Sequence, residues 1–234
     1  IFYGLDRFSE DLDFSLINKN PKFNLQKYFS TLENEVKSLG LNFTVDEKSK
    51  TMDSNIISAF LKGGTKEHII YFYGFDENIK NINPKEIIKV KFEIDVNPPD
   101  FAEYEIKYRL LPYPYQVKIY DLPSLFAGKV HAVICRSWKN RIKGRDLYDY
   151  VFYLSQETRV NLKHLKARLV QSDFIKNDDN FTIENLISIL NRRFSEIDYL
   201  QVKADVLPFI KDKSKLDIWS KEFFIEITKN LKEI

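Results

Sequence analysis

Cysteine is all but absent from this chain. Cys135 is the single one, so no internal disulfide can form, and the sequence reads as that of a protein from a reducing compartment. Cys135 falls in a helical apolar pattern, which makes it a core residue before it is a nucleophile. The three histidines, His68, His131 and His164, are scattered, and no Cys/His spacing of a zinc site exists. No apolar run is long enough to span a membrane, and no signal peptide is recognisable. Together these absences give a cytoplasmic protein as the expectation, with no membrane partner. A charge surplus is also lacking. Thirty-six basic residues against 34 acidic ones leave a formal net charge of +2, which excludes a strongly basic nucleic-acid arm but not a local basic patch. There is no internal repeat, no low-complexity tract and no Walker phosphate-binding pattern.

What remains is a folded chain with a distinctive use of carboxylates. At 234 residues it is one large domain or two small ones, and 44% hydrophobic content supports a sizeable core. Near the start stands Arg7-Phe8-Ser9-Glu10-Asp11-Leu12-Asp13. Side chains alternate along a strand, so Asp11 and Asp13 share one face while Leu12, Phe14 and Leu16 take the other. Two carboxylates this close need a cation, a shared proton or open water to coexist. A strand that presents them side by side is a good holder for Mg²⁺, a hard cation that takes oxygen ligands.

A second strand has the same design. From Glu86 to Val96, Ile88, Val90, Phe92, Ile94 and Val96 form an apolar face, and Lys89, Lys91, Glu93 and Asp95 form the opposite one. Paired beside the first strand, it would bring Glu93 or Asp95 to Asp11 and Asp13. Three carboxylates from two strands are the equipment of two-metal phosphoryl or nucleotidyl transfer. The bland alternative is a half-exposed strand with a solvated charged face.

The pattern predicts strands at Asp11 to Ile17, Leu41 to Glu47, Ile56 to Leu61 and Tyr113 to Tyr120. Asn20-Pro21 is expected to open a helix that runs to about Leu39 and stops at Gly40. Lys62-Gly63-Gly64-Thr65 reads as a hairpin turn with a returning strand through Tyr73. From Asp121 onward the period turns helical, at Leu125 to Trp138, Arg145 to Leu154, Asn161 to Val170, Ile183 to Ile197 and Ile218 to Leu231. Strands with one helix, then helices only, argue an α+β protein.

A third cluster lies in the helical part. Lys129 interrupts an apolar helix (Leu125, Phe126, Ala127, Val130) and needs a partner, for which a phosphate oxygen or Asp146 would serve. Gly144 breaks the preceding segment, and Arg145-Asp146-Leu147-Tyr148-Asp149 opens the next helix. Taken alone, Arg145 and Asp149 read as an i, i+4 surface ion pair and Asp146 as a first-turn dipole residue.

Together the three clusters resemble the AbiEii/AbiGii nucleotidyltransferase toxin family, over nearly the whole chain. The family's Arg-x-Ser-x-Asp-φ-Asp motif, with φ apolar, matches Arg7, Ser9, Asp11, Leu12 and Asp13. Its Lys-φ-Glu-φ strand matches Lys91-Phe92-Glu93-Ile94, and its helical lysine followed by Arg-Asp-x-x-Asp matches Lys129 and Arg145-Asp146-Leu147-Tyr148-Asp149. The resemblance implies a polymerase-β-like fold: an N-terminal nucleotidyltransferase-type mixed β-sheet with a flanking helix over residues 1–120, then an all-helical half over 121–234 that completes the active-site cleft. The family also carries a Gly-Gly-Thr/Ser motif ahead of its Asp-x-Asp. The chain opens inside the helix that should carry it, at Ile1-Phe2-Tyr3-Gly4, and so reads as lacking its natural start. Gly63-Gly64-Thr65 lies on the wrong side of the aspartates to stand in.

The same resemblance implies the chemistry. Asp11 and Asp13 hold Mg²⁺ with the triphosphate of an NTP, and Glu93, with Asp95, binds a second ion or accepts the proton of the attacking hydroxyl. Lys129 contacts phosphate as a point charge, Asp146 positions Lys129 or the acceptor, and Arg7, Ser9 and Arg145 are nucleotide contacts. Arg7 reads equally as a structural partner of a carboxylate, and Ser9 as a turn residue. The expected activity is transfer of a nucleoside monophosphate to an acceptor, RNA or tRNA first, by the toxin of a toxin–antitoxin or phage-defence system with a cognate antitoxin. The run Lys139, Arg141, Lys143 and Arg145 suits an RNA backbone or a plain solvated face. Other readings are transfer to a small molecule or protein, a catalytically silent module that binds a protein, and, more remotely, a metal-dependent nuclease.

Overall fold

A computed structural model describes residues 2–47, 55–73, 82–136 and 143–234. The chain divides into two compact units, one of residues 9–98 and one of residues 1–8 with 99–234. The hairpin of Tyr104–Arg109 and Tyr115–Tyr120 forms a sheet of its own and stays with the helical unit.

The unit of residues 9–98 is a four-stranded mixed sheet. Its strands are β1 (Asp11–Ser15), β2 (Thr44–Glu47), β3 (Ile56–Gly64) and β4 (Ile87–Asp95), in the order β1-β4-β3-β2. β1 runs parallel to β4, while β3 is antiparallel to both β4 and β2. The alternation of Ile57, Ala59, Phe92 and Ile94 turns one sheet face apolar. That face is closed by Leu25, Phe29 and Leu32, from a 3-10 turn at Leu25–Tyr28 and helix α1 (Phe29–Ser38). The helix starts later than expected. Asn24 caps the 3-10 turn by accepting from the Gln26 N–H, whereas Asn20 caps a separate turn through the Lys22 N–H. Gly63-Gly64-Thr65 is a correction: β3 runs through both glycines, and helix α2 (Thr65–Tyr73) follows instead of a returning strand.

Among its described residues the second unit carries β5 (Tyr104–Arg109) and β6 (Tyr115–Tyr120), paired antiparallel, and the α-helices α3 (Leu122–Cys135), α4 (Gly144–Ser155), α5 (Leu162–Gln171), α6 (Ile183–Ser195), α7 (Tyr199–Val206) and α8 (Lys221–Thr228). Thus α+β is the class, with a mixed sheet and helix first and mostly helices after. Leu186, Leu190 and Phe194 recur at four-residue spacing along α6 and are fully buried. A chain of rings ties the helices together, with centroids 5.2 Å apart for Phe126–Tyr153, 5.5 Å for Tyr150–Phe194 and 5.1 Å for Phe194–Phe224.

Gly144 fixes how α4 meets α7. Its N–H donates to Asp205 at 2.9 Å, and a Cβ added there would stand 2.0 Å from the Val202 carbonyl oxygen. Backbone cannot step aside as a flexible side chain can. Gly144→Ala is therefore expected to lower stability by about 3 kcal/mol, read as a shift of the urea midpoint. A variant as stable as the wild type would contradict this packing.

His164 makes the helical unit sensitive to acid. The ring is fully buried, with Nδ1 2.8 Å from the Asp100 carbonyl oxygen and Nε2 2.9 Å from Arg168 Nε. The Arg168 N–H needs an acceptor, so Nε2 must be unprotonated. Burial, with the charge of Arg168, lowers the imidazole to about 4. Its folded value lies below the ordinary 6.5, so the stability it supports is complete above pH 6.5 and is lost as pH falls toward 4. His131, also lowered to about 4 by burial and by Arg168, adds with the same sign. About 2 kcal/mol from His164 alone is expected to disappear between pH 7 and pH 5. Urea titrations at the two pH values should show this, with a smaller difference in His164→Gln. An equal difference in both proteins would clear His164 of the effect.

Candidate functional site

β1 lies at the sheet edge, and the parallel register sets Asp11 beside Lys91, Asp13 beside Glu93 and Ser15 beside Asp95. Residues matched in this way share a sheet face, so the two acidic stretches form one polar surface. The juxtaposition of the two strands is as the sequence led one to expect. On the other face Leu16 packs on the core, while Leu12 and Phe14 are exposed.

Asp11 is half-buried and Asp13 exposed. Glu93 is more tightly held. Its Oε1 accepts from the Ser58 hydroxyl at 2.9 Å and is ion-paired with Lys91. An Asp95 carboxylate oxygen accepts from the Asn97 N–H at 2.9 Å, closing the turn that follows β4. Ser9 takes the turn role, its hydroxyl donating to the Asp11 carbonyl at 3.3 Å.

Among the described residues no three carboxylates, histidines or cysteines are close enough to hold a metal ion between them. The donor chemistry still fits Mg²⁺. That ion keeps several waters and is commonly held by one or two carboxylates plus substrate phosphates, without an all-protein cage. Asp11 and Asp13, on one face and open to solvent, offer that much.

The other sequence-predicted residues meet in the helical unit. Asp149 of α4 is fully buried. Its two oxygens accept from Arg7 Nε at 2.5 Å and Arg7 Nη2 at 2.7 Å, and Lys129 Nζ of α3 lies 2.7 Å from it. Asp146, one turn earlier and also buried, takes Arg136 at 2.7 Å and Lys129 at 3.7 Å. Burial alone would lower the Arg7 guanidinium, but the hydrogen bonds and charge of Asp149 outweigh it and raise it. A backbone bridge between Arg7 and Ile210 and the bond from the Phe8 N–H to the Phe209 carbonyl, 2.7 Å, fix this segment in place.

One reading is corrected: Arg145 and Asp149 do not form a surface pair, because Asp149 is inside and the Arg145 guanidinium lies 4.1 Å over the Phe209 ring. Lys129 pairs with Asp146, as expected, and lies closer still to Asp149. Of the two readings of Arg7 the carboxylate contact is present, with its fork on Asp149 and Nη1 donating to the Phe8 carbonyl at 2.9 Å. Sequence reasoning gave Asp149 no role in the site and passed over Arg136. The i, i+3 spacing of Asp146 and Asp149 was the available signal, because it puts both carboxylates on one helix face. Of the basic run, Lys139 and Arg141 lie outside the described residues, and Lys143 is exposed.

An acidic strand pair on a mixed sheet, followed by a helical unit in which a half-exposed lysine meets two buried aspartates, is what a nucleotidyltransferase-type α+β protein is expected to carry. The chain belongs to the nucleotidyl transferase AbiEii toxin family of type IV toxin–antitoxin systems, whose family model matches residues 1–226. It is thus a member of a family of nucleotidyltransferase toxins, each the toxin half of a toxin–antitoxin pair. No curated protein gives a match to it. Among the described residues no helix is long and apolar enough to cross a membrane.

Proposed function

We propose that this chain moves a nucleoside monophosphate from an NTP to an acceptor hydroxyl on RNA, tRNA foremost, and that it acts in the cytoplasm as a growth-arresting or phage-defence toxin. The observation that supports this most directly is the β1–β4 register, which sets Asp13 beside Glu93 with Asp11 on the same face. Asp11 and Asp13 would hold Mg²⁺, and Asp95 with Glu93 would face a second ion; the ions would supply positive charge against the triphosphate. The acceptor oxygen attacks the α-phosphorus, the bond to the bridging oxygen breaks, and pyrophosphate leaves. Glu93 receives the hydroxyl proton. Lys129, a third exposed and held by Asp149, meets phosphate oxygens as a fixed cation. Asp146 and Asp149 keep that ammonium in place, which makes them positioning residues.

The test is direct. The chain is incubated with Mg²⁺ and each α-labelled NTP in turn, with tRNA, total protein extract or small metabolites as acceptors. Label on tRNA is the expected result and identifies the nucleotide. Label on protein or on a metabolite would replace the acceptor. NTP binding with no label anywhere would point to a catalytically silent module.

A further inference from the structure

We propose, resting on nucleotidyl transfer as the reaction, that Arg136 is a second phosphate contact beside Lys129. The two cations form a clamp for a diphosphate: the β and γ phosphates of an NTP, and the pyrophosphate it releases. The clamp lies wholly within the helical unit.

The cations are drawn together by one carboxylate. Lys129 lies in α3 and Arg136 caps its C-terminal end, seven residues and about two turns further on. Asp146 of α4 stands between them. Its Oδ1 is 3.7 Å from Lys129 Nζ, and its Oδ2 accepts from Arg136 Nη1 at 2.7 Å. The Asp146 side chain is 3% exposed, against 34% for Lys129 and 43% for Arg136. The carboxylate is inside and both charged heads reach water.

A structural role accounts for only part of Arg136. A cation suits the C-terminal end of a helix, and the bond to Asp146 ties α3 to α4. That uses Nη1. Among the described residues, Nε and Nη2 meet no acceptor. Lys129 also keeps a donor in hand. Asp149 takes one N–H at 2.7 Å, and Asp146 at 3.7 Å is beyond hydrogen-bond reach. A guanidinium edge beside an ammonium, both with donors open, matches phosphate oxygens.

Charge decides the class of ligand. Three cations, Arg7, Lys129 and Arg136, stand against two carboxylates, Asp146 and Asp149. One positive charge is left over. Arg7 is covered, so the surplus shows at Lys129 and Arg136. The same field reaches His131, which burial, with the charges of Arg168 and Arg136, holds down at about 4. A single carboxylate or phosphodiester brings one negative charge and fills one head. A diphosphate carries charge on adjacent groups and engages both. During transfer the electron pair of the breaking phosphorus–oxygen bond stays on the bridging oxygen of the departing pyrophosphate. The clamp meets that charge where it develops.

Calorimetric titration with pyrophosphate, in EDTA and at low salt, reads the clamp without Mg²⁺ and without turnover. Arg136→Gln is expected to weaken binding about tenfold or more. Arg136→Lys, which keeps the charge and loses the fork, is expected to weaken it less. Orthophosphate, which fills one head, is expected to bind the wild type more weakly than pyrophosphate does. Circular dichroism checks that both variants are folded. Phenylglyoxal modification of the unaltered chain, mapped by mass spectrometry, needs no variant, and pyrophosphate should protect Arg136. Pyrophosphate bound equally by wild type and Arg136→Gln, or bound by neither, overturns the clamp. So does an Arg136 that is modified as fast with pyrophosphate as without it, or orthophosphate bound as tightly as pyrophosphate. Label transfer by Arg136→Gln at an unchanged KM for NTP and with unchanged inhibition by pyrophosphate removes the clamp and leaves the enzyme standing. Pyrophosphate held through Arg136 in a chain that labels no acceptor removes the transfer reading alone.

Discussion

Asp11→Asn with Asp13→Asn is expected to abolish label transfer from NTP, by about a thousandfold or more, while leaving the thermal melt of the protein where it was. The expectation rests on the place of the two side chains outside the core: Asp13 is exposed, Asp11 half-buried, and neither belongs to the apolar cluster of its unit. Removing two like charges from one strand face costs the fold little and relieves repulsion. Catalysis is another matter. The amides keep the shape but lose the charge that holds Mg²⁺ against the triphosphate. A loss of about 4 kcal/mol in the transition state is a factor of about a thousand. Transfer that survives the double substitution within tenfold of wild type would remove this surface from the chemistry. A coincident fall in melting temperature would mean that the aspartates serve the fold instead.

The second large effect is on stability. Asp149→Ala should cost about 3–5 kcal/mol, because it takes the nearer carboxylate from Lys129 and leaves Arg7 charged with its side chain 92% covered. Asp149→Asn should cost less, since one carbonyl oxygen still accepts from the guanidinium, but it cannot satisfy the fork and Lys129 together. Arg7→Lys is not a mild change either, because a single ammonium replaces a planar bidentate donor. Urea denaturation of the purified variants orders them. A midpoint for Asp149→Ala within 1 kcal/mol of wild type, estimated from the slope of unfolding, would mean that water readily takes the place of the lost carboxylate.

The long, strict alternations were legible from the sequence. β4 follows its two-residue period from Ile87 to Asp95, and α3 to α6 fall close to their expected spans. The polar face of Asp11, Asp13, Glu93 and Asp95 was legible for the same reason. What failed was local propensity set against tertiary context. Thr65–Tyr73 is rich in isoleucine and tyrosine, which favour strands, yet it is helical. Thr65-Lys66-Glu67 puts an acidic residue in the first turn, which suits a helix start. β5 was missed because Tyr104-Glu105-Ile106-Lys107 alternates without a plainly apolar face, and one of its faces is closed by residues from the chain start. The burial of Asp149 was hidden because a charge at i, i+4 from an arginine looks solvated until its distant partner, Arg7, is known.

The strand order has a consequence for the living cell. Asp13 and Glu93 become neighbours through the parallel β1–β4 ladder, across eighty positions of chain, and among the described residues no other strand pairs with β1. During synthesis the aspartate pair emerges early as part of a lone edge segment. Its acidic companion follows only after β2, β3 and α2 have been made. Contacts this distant in sequence form late, since a long loop must close before they are gained. The acidic surface therefore cannot assemble on a half-made chain. A chain that stops before β4 lacks Glu93 and Asp95, and with them half of that surface.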